Sequence, residues 1–289
     1  MSYLFTINAN ITVHDASAKD ELQAPSGTDL LELAELNLSS SEEPEDSSSP
    51  LYGVASFNCS SQGEPQDWKT ELSSALSSLG EEVVVEDYIF VVNPEAADEM
   101  ADQVRSQVEA IAAAIHQDWQ NAPEQASRSV RRKPAKDDEW VEKALAEAEL
   151  EQYSLNAEQL ERFMAGKNDF LDSIEVDLGP GQGLELLSPD GERVGVAVDI
   201  LGTEYQDLPK NWQEDNLAAA EGAAQLIADS IAENGSFSIE AIAEQIHEQW
   251  LERNPWAKDG EQGADYADLS QEDKDRDSTV AWTVISSLS

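Results

Sequence analysis

The sequence predicts an α+β protein, with a mixed sheet and helices in its N-terminal part and a β-hairpin plus a helical unit in its C-terminal part. Two kinds of periodicity indicate this class. Apolar residues alternate in several short segments, and they recur every three or four positions in longer ones. The length of 289 residues allows one large domain or two ordinary ones, and a hydrophobic share of 40% is enough for a core.

The N-terminal region, residues 1–122, is predicted to form an α+β domain. Apolar residues occupy the odd positions from Tyr3 to Val13, which is the period of a half-buried strand. Asn93 and Pro94 end a β-branched run and can open a helix. In chain order we expect a strand at 3–13, a helix at 30–36, a solvated loop at 39–50, a strand at 51–58, a helix at 68–79, a strand at 83–92 and a helix from 94 to about 120.

A basic segment follows at 123–136. Five of the 17 basic residues of the chain lie here, namely Arg128, Arg131, Arg132, Lys133 and Lys136. One interpretation is an exposed linker whose charge offsets the acidic regions on either side. The other is a docking segment for an acidic surface of the same chain or of another one.

The C-terminal region, residues 137–289, is predicted to be a helical domain with a β-hairpin. The turn of the hairpin is the run from Ser188 to Gly191, which has the composition of a β-turn. The expected elements are helices at 139–151, 157–165, 212–232, 239–253 and 271–285, and strands at 174–178, 184–187 and 193–200.

The formal net charge is −43, with 60 acidic and 17 basic residues, and the acidic residues are spread evenly along the chain. Such a charge repels anionic lipid and nucleic-acid phosphate, so direct nucleic-acid or membrane binding is not expected. A basic protein partner, mimicry of DNA toward a host protein, and adaptation to high salt all fit this charge. Mimicry of DNA suggests a phage or other prokaryotic source, and salt adaptation suggests a high-salt organism. Strict adaptation to salt is disfavoured because Glu outnumbers Asp.

Sequence signatures of catalysis are missing. A single cysteine, Cys59, excludes a disulfide framework and a multi-cysteine zinc site. Neither HExxH nor GxSxG occurs, and the glycine-rich loop at 179–183 lacks the lysine of a phosphate loop. We therefore expect a non-enzymatic protein without metal or cofactor. The polar start and the lack of a long apolar run predict a soluble, cytoplasmic protein.

A short pattern occurs twice. Ile111, Ala112, Ile115, His116 and Trp119 recur at the same spacing as Ile242, Ala243, Ile246, His247 and Trp250. In a helix the isoleucines and the tryptophan share one face, with the histidine beside them. Two interpretations stay open, a histidine that borders an aromatic core in each copy and a distant duplication.

The second copy belongs to a longer pattern in residues 239–285. It comprises the helix with Ile246, His247 and Trp250, then Tyr266 and Leu269, then Glu272, Lys274, Asp275 and Arg276 at the start of the last helix. This segment resembles the ryanodine-receptor repeat domain. The family has a longer loop with aromatic and basic residues where this chain has residues 254–264. The resemblance implies a binding or assembly module, with small nucleotides as the ligand class suggested for bacterial members.

The candidate binding residues of this module are His247, Trp250, Tyr266, Lys274 and Arg276. Ser270 is predicted as the N-cap of the last helix, so the two cations lie in its first turns. They can meet an anionic ligand or partner there, because the helix dipole adds to their charge. The competing interpretation is pairing within the chain, with the nearby carboxylates Asp273, Asp275 or Asp277.

Overall fold

The computed structural model describes residues 5–13, 31–40, 51–59, 67–77, 83–122, 125–126, 128–146, 150–176, 182–258 and 260–288. The chain is an α+β protein, as predicted, and its described strands form two sheets. Its contacts divide it into two units. The first consists of Met1–Ile111 with Ala219–Ser289, and the second is Ala112–Ala218.

The strands are β1 (Phe5–Val13), β2 (Leu31–Ser40), β3 (Leu51–Cys59), β4 (Val83–Val92), β5 (Arg132–Pro134), β6 (Leu150–Ser154), β7 (Gly183–Leu187), β8 (Arg193–Asp199) and β9 (Ser236–Ser238). The helices are α1 (Trp68–Ser77), α2 (Ala97–Ser106), α3 (Val108–Asn121), α4 (Asp138–Ala146), α5 (Ala157–Met164), α6 (Lys210–Asn234), α7 (Ile239–Arg253) and α8 (Gln271–Ser286).

The sheet of the first unit has the order β2-β3-β1-β4-β9, and all its pairings are antiparallel. The mixed sheet expected in the N-terminal part is therefore not found among the described strands there, and the parallel pairing lies in the second unit. The predicted alternation of β1 is confirmed, since its odd residues from Phe5 to Val13 are all buried. Aromatic rings fill the core on that face. Phe90 of β4 stacks on Phe237 of β9 at 5.0 Å, and Trp282 of α8 meets Phe90 edge-on at 5.7 Å. The last helix is thus packed on the N-terminal sheet.

The sheet of the second unit has the order β5-β8-β7-β6 and is mixed, because β6 pairs with β7 in parallel. The hairpin between β7 and β8 is confirmed. Its turn has a 2.9 Å hydrogen bond from the Gly191 N–H to the Ser188 carbonyl, and Gly191 has a φ of +81°, which favours glycine. Apolar clusters pack on residues of this sheet, one around Leu184, Leu186 and Ala197 and another around Val198.

The predicted helix at 30–36 is wrong, because its described residues, 31–36, belong to β2. The reason is a bulge. Leu33 pairs with Phe57 but Leu36 pairs with Ala55, so one extra residue shifts the alternation of β2. Leu33 and Leu36 therefore lie on the same face of the sheet although they are three positions apart. In the sequence, this spacing is the same as that of apolar residues on one side of a helix. Of the predicted loop at 39–50, residues 39–40 close β2 and 41–50 lie outside the described residues.

Three other predicted elements differ in their bounds. The helix expected at 94–120 is two helices, α2 and α3, with Gln107 between them. The helix expected at 139–151 ends at Ala146, and β6 begins at Leu150. The strand expected at 174–178 is absent from its described part, which follows a 3₁₀ helix at Asp169–Ser173. The glycine loop ends at Gly183, the first residue of β7, and 179–181 lie outside the described residues.

The predicted division into 1–122, a linker at 123–136 and 137–289 also differs from the structure. Phe237 of β9 pairs with Phe90 of β4, so residues from both ends of the chain share one sheet. Residues 132–134 of the expected linker form β5 and pair with β8. The segment is therefore part of a sheet, and its Arg132 is buried.

Candidate functional site

The predicted C-terminal site lies where α7 meets α8. His247 of α7 is buried, and its Nδ1 is 3.0 Å from Oδ2 of Asp277 on α8. The imidazole stacks against Trp250 with ring centres 6.1 Å apart, and the Tyr266 ring approaches at the same distance. Three of the five predicted residues, His247, Trp250 and Tyr266, thus form one cluster. Tyr266 is buried and Trp250 is half-buried.

Burial dominates the electrostatics of this cluster. It raises the pKa of Asp277 to about 6, against the effects of His247 and Arg276, which favour the charged carboxylate. It also raises the pKa of Tyr266, as do the charges of Glu240 and Asp277. Nε2 of His247 is buried without a hydrogen-bond partner among the described residues. The cluster therefore joins a buried imidazole to a half-buried carboxylate whose charged form is disfavoured.

The pH dependence of stability follows from Asp277. Its pKa rises from 3.8 to about 6 on folding, so the folded state binds this proton more tightly than the unfolded chain. The stabilising effect of the proton is complete below about pH 4. This stabilisation is lost as the pH rises through about 6, by up to about 1.4 kcal/mol per pH unit. We expect the wild type to lose about 1–3 kcal/mol more than Asp277→Asn between pH 4 and pH 7.

Urea unfolding at constant ionic strength measures this difference. Repulsion among the other carboxylates is common to both proteins and cancels in the comparison. Parallel pH profiles for the wild type and Asp277→Asn would show that the carboxyl group titrates normally.

The two predicted cations, Lys274 and Arg276, are engaged within the chain. Nζ of Lys274 donates to the Ala267 carbonyl at 3.0 Å and lies 5.4 Å from the centre of the Tyr266 ring. Arg276 pairs with Asp273 at 2.7 Å and also with Glu272. The predicted N-cap is confirmed, since Ser270 accepts a hydrogen bond from the Asp273 N–H. The geometry therefore favours the pairing interpretation over a free anion site.

The first copy of the repeated pattern has a similar ring contact. His116 stacks on Trp119 with ring centres 5.8 Å apart and an interplanar angle of 25°, the same angle as in the second copy. Its hydrogen bond differs, because Nε2 of His116 lies 2.9 Å from the Thr203 carbonyl. Burial lowers the pKa of His116, which favours the neutral imidazole. Helical spacing accounts for the shared stack, and each histidine borders a packed aromatic side chain.

The basic segment is docked on the 3₁₀ helix of its own unit. Arg131 donates to Asp172 at 2.6 Å, and Arg128 lies 3.7 Å from the same carboxylate. Arg132 is 3% exposed, and its guanidinium donates to the carbonyls of residues 171, 174 and 176. Lys133 is half-buried, whereas Lys136 is exposed. The five predicted cations therefore have different environments.

Sequence reasoning missed a row of carboxylates on α7. The row consists of Glu240, Glu244, Glu248 and Glu252, which are all exposed. Four-residue spacing places them along one side of the helix, with a rise of about 6 Å between neighbours. None of the ion pairs found among the described residues includes them. The spacing can be read in the sequence, but it does not stand out among so many acidic residues.

The described residues contain no group of three or more His, Cys, Asp or Glu side chains arranged to hold a metal ion. Within the same residues, none of the helices combines the length and the apolar character that a membrane span requires. No protein-family model, curated protein or solved structure matches this chain.

Proposed function

We propose that this chain is a non-enzymatic, cytoplasmic binding or assembly protein that docks a cationic protein surface on the glutamate row of α7. The observation that carries the proposal is the row itself, four exposed glutamates at a regular spacing on one helix. The packing of α7 also favours the proposal. The opposite side of the helix is buried through Ile242, Ala243 and Ile246, which holds the row at the surface.

The row has an energetic cost. Like charges at i, i+4 destabilise a helix by about 0.2–0.5 kcal/mol per pair, and the row contains three such pairs. None of the ion pairs found among the described residues includes a glutamate of the row. A cationic partner would offset this cost, because opposite charges at the same spacing replace repulsion by attraction. A partner helix with Lys or Arg at every fourth position has the matching rise of about 6 Å.

Mimicry of DNA is the second candidate function, and charge density separates it from the first. The row has four charges over about 18 Å of helix. A single DNA strand has one charge per about 3.4 Å, or about five over that length, and the duplex has about twice as many. The row comes near the density of one strand but not of a duplex. This comparison favours a cationic peptide or helix over a DNA-binding groove as the partner.

The likeness of residues 239–285 to the ryanodine-receptor repeat supports assembly as the role of the same helix pair. A small nucleotide is the ligand that this likeness suggests, and Lys274 with Arg276 would contact it. Their intrachain bonds give a clear test. If Lys274→Glu with Arg276→Glu lowers stability but leaves the affinity for added nucleotide unchanged, the two cations are structural.

The row is tested with two peptides of equal composition, one with Lys at every fourth position and one with the same lysines at irregular spacing. We expect the regular peptide to bind the wild type at least about tenfold more tightly than the variant with all four glutamates changed to Gln. Removing the repulsion should also raise the free energy of unfolding by about 1 kcal/mol.

The matched control changes four exposed glutamates outside the row, Glu142, Glu158, Glu161 and Glu175, to Gln and so alters the net charge equally. If both variants lose the same affinity for the peptide, net charge alone explains the loss and the proposed site is refuted. Inhibition of a DNA-binding protein, abolished by the same row variant, would instead support mimicry. A steep rise in the stability of every variant toward molar KCl would identify salt adaptation as the origin of the charge.

A further inference from the structure

A cationic patch stands out in the second unit, on a chain whose net charge is −43. The patch consists of Arg128, Arg131 and Lys133, grouped around a single carboxylate, Asp172. Oδ2 of Asp172 serves both Arg131, at 2.6 Å, and Arg128, at 3.7 Å. Its Oδ1 accepts the backbone N–H of Arg132 at 2.6 Å. Both oxygens of the carboxylate are therefore already engaged.

Lys133 is the member of the patch without a counter-ion. Its amine makes no hydrogen bond or ion pair to any described residue, although the side chain is half-buried at the edge strand β5. Burial lowers the pKa of Lys133, and so do the charges of Arg131 and Arg128, while Asp172 opposes the change. The neighbouring Asp169 is itself paired with Arg162 at 2.8 Å. The described part of the chain therefore supplies no direct partner for an ammonium group here.

The charge balance of the patch is positive. Arg162 neutralises Asp169, and the buried Arg132 offsets Asp199, whose Oδ1 accepts the Arg131 N–H. The three patch cations against Asp172 then leave a net charge of about +2. The exposed side-chain fractions are 43% for Arg128 and 27% for Arg131, so solvent reaches both guanidinium groups. Each guanidinium has five N–H donors, and most of them are not used by Asp172. A ligand with several acceptor oxygens can use these donors together with the ammonium of Lys133.

Screening by salt limits the size of an anion that can bind on so acidic a protein. The Debye length is about 8 Å at physiological salt, so a small anion in contact with the patch is shielded from most of the acidic surface. A polyanion such as DNA extends far beyond that distance and would be repelled. Phosphate suits guanidinium and ammonium donors in both charge and geometry.

We propose that Arg128, Arg131 and Lys133 form a binding site for a small phosphate-class anion at the edge of the four-stranded sheet. This site is independent of the glutamate row, which belongs to the other unit. Bound phosphate would act as the counter-ion of Lys133. It would also link β5 to the 3₁₀ helix.

The test is a titration with inorganic phosphate at constant ionic strength, with chloride as the balancing anion. Calorimetry gives the affinity, and the ¹³Cε shift of Lys133 reports its ionisation. We expect a dissociation constant on the order of 1 mM and a rise of the Lys133 pKa on binding. Lys133→Met should weaken binding at least tenfold. Lys143→Met, an exposed lysine of α4, makes the same change in net charge and should bind like the wild type.

Asp172→Asn gives a second test, in which phosphate affinity should change in the opposite direction. Removal of the competing carboxylate should strengthen phosphate binding several-fold. The proposal is overturned if chloride produces the same shifts as phosphate, or if Lys133→Met and Lys143→Met bind phosphate equally. It is also overturned if Asp172→Asn stays folded by circular dichroism but binds phosphate less tightly.

Discussion

Arg132→Met should lower the free energy of unfolding by about 3–5 kcal/mol, because the guanidinium is buried and satisfies three main-chain carbonyls. Its hydrogen bonds to the carbonyls of residues 171, 174 and 176 measure 3.0, 2.6 and 2.9 Å. Methionine replaces the stem of the side chain but leaves these acceptors without donors. Urea denaturation at fixed ionic strength measures the loss without the salt effects of guanidinium.

Arg131→Met is the matched control for this experiment. Its guanidinium is partly exposed and pairs with a carboxylate, so its loss should cost no more than about 1 kcal/mol. Hydrogen exchange at β5 and β8 should be accelerated by the change at Arg132 and little affected by the change at Arg131. Equal, small losses in the two variants would mean that 123–136 is the exposed linker that the composition suggests.

Trp282→Ala should lower the free energy of unfolding by about 3–5 kcal/mol. Trp282 is 5% exposed and meets two rings of β4 edge-on, Tyr88 at 5.1 Å and Phe90 at 5.7 Å. Truncation would leave a cavity between α8 and the sheet. Hydrogen exchange should then show faster exchange in the strands as well as in α8, because both belong to one unit.

Trp250→Ala provides the comparison on α7. The helical pattern predicts a buried tryptophan at positions 119 and 250, with a cost of about 3–5 kcal/mol for Trp250→Ala. Both side chains are only half-buried, so the expected loss at Trp250 is smaller, about 1–2 kcal/mol. If Trp282→Ala accelerates exchange in α8 alone, residues 1–122 fold independently and the division into units is wrong.

Periodic segments could be predicted from the sequence because their signal is local. Alternation identified β1, and the helical pattern identified α7 between residues 239 and 253. The composition from Ser188 to Gly191 predicts the hairpin, and Ser270 is predicted as a helix cap; the structure has both. In each case the structure depends on backbone geometry and on neighbours in the sequence. A window of about ten residues is therefore enough to predict it.

The candidate site was predicted only in part. Residues on one helical face, such as His247 and Trp250, could be grouped by their spacing. The partner of His247 could not, because Asp277 lies 30 positions away and only the packing of α7 on α8 brings it to 3.0 Å. The raised pKa of Asp277 has the same origin, since burial depends on the whole unit.

By itself, the sequence determined the α+β class, the periods of the main elements and the high negative charge. Only the tertiary structure decided that Leu33 and Leu36 share a strand face across a bulge, that Phe237 joins the N-terminal sheet, and that Arg132 is buried. The reason is physical. A strand or helix period arises from bonds along the chain, whereas pairing, burial and charge compensation arise between residues that are distant in sequence.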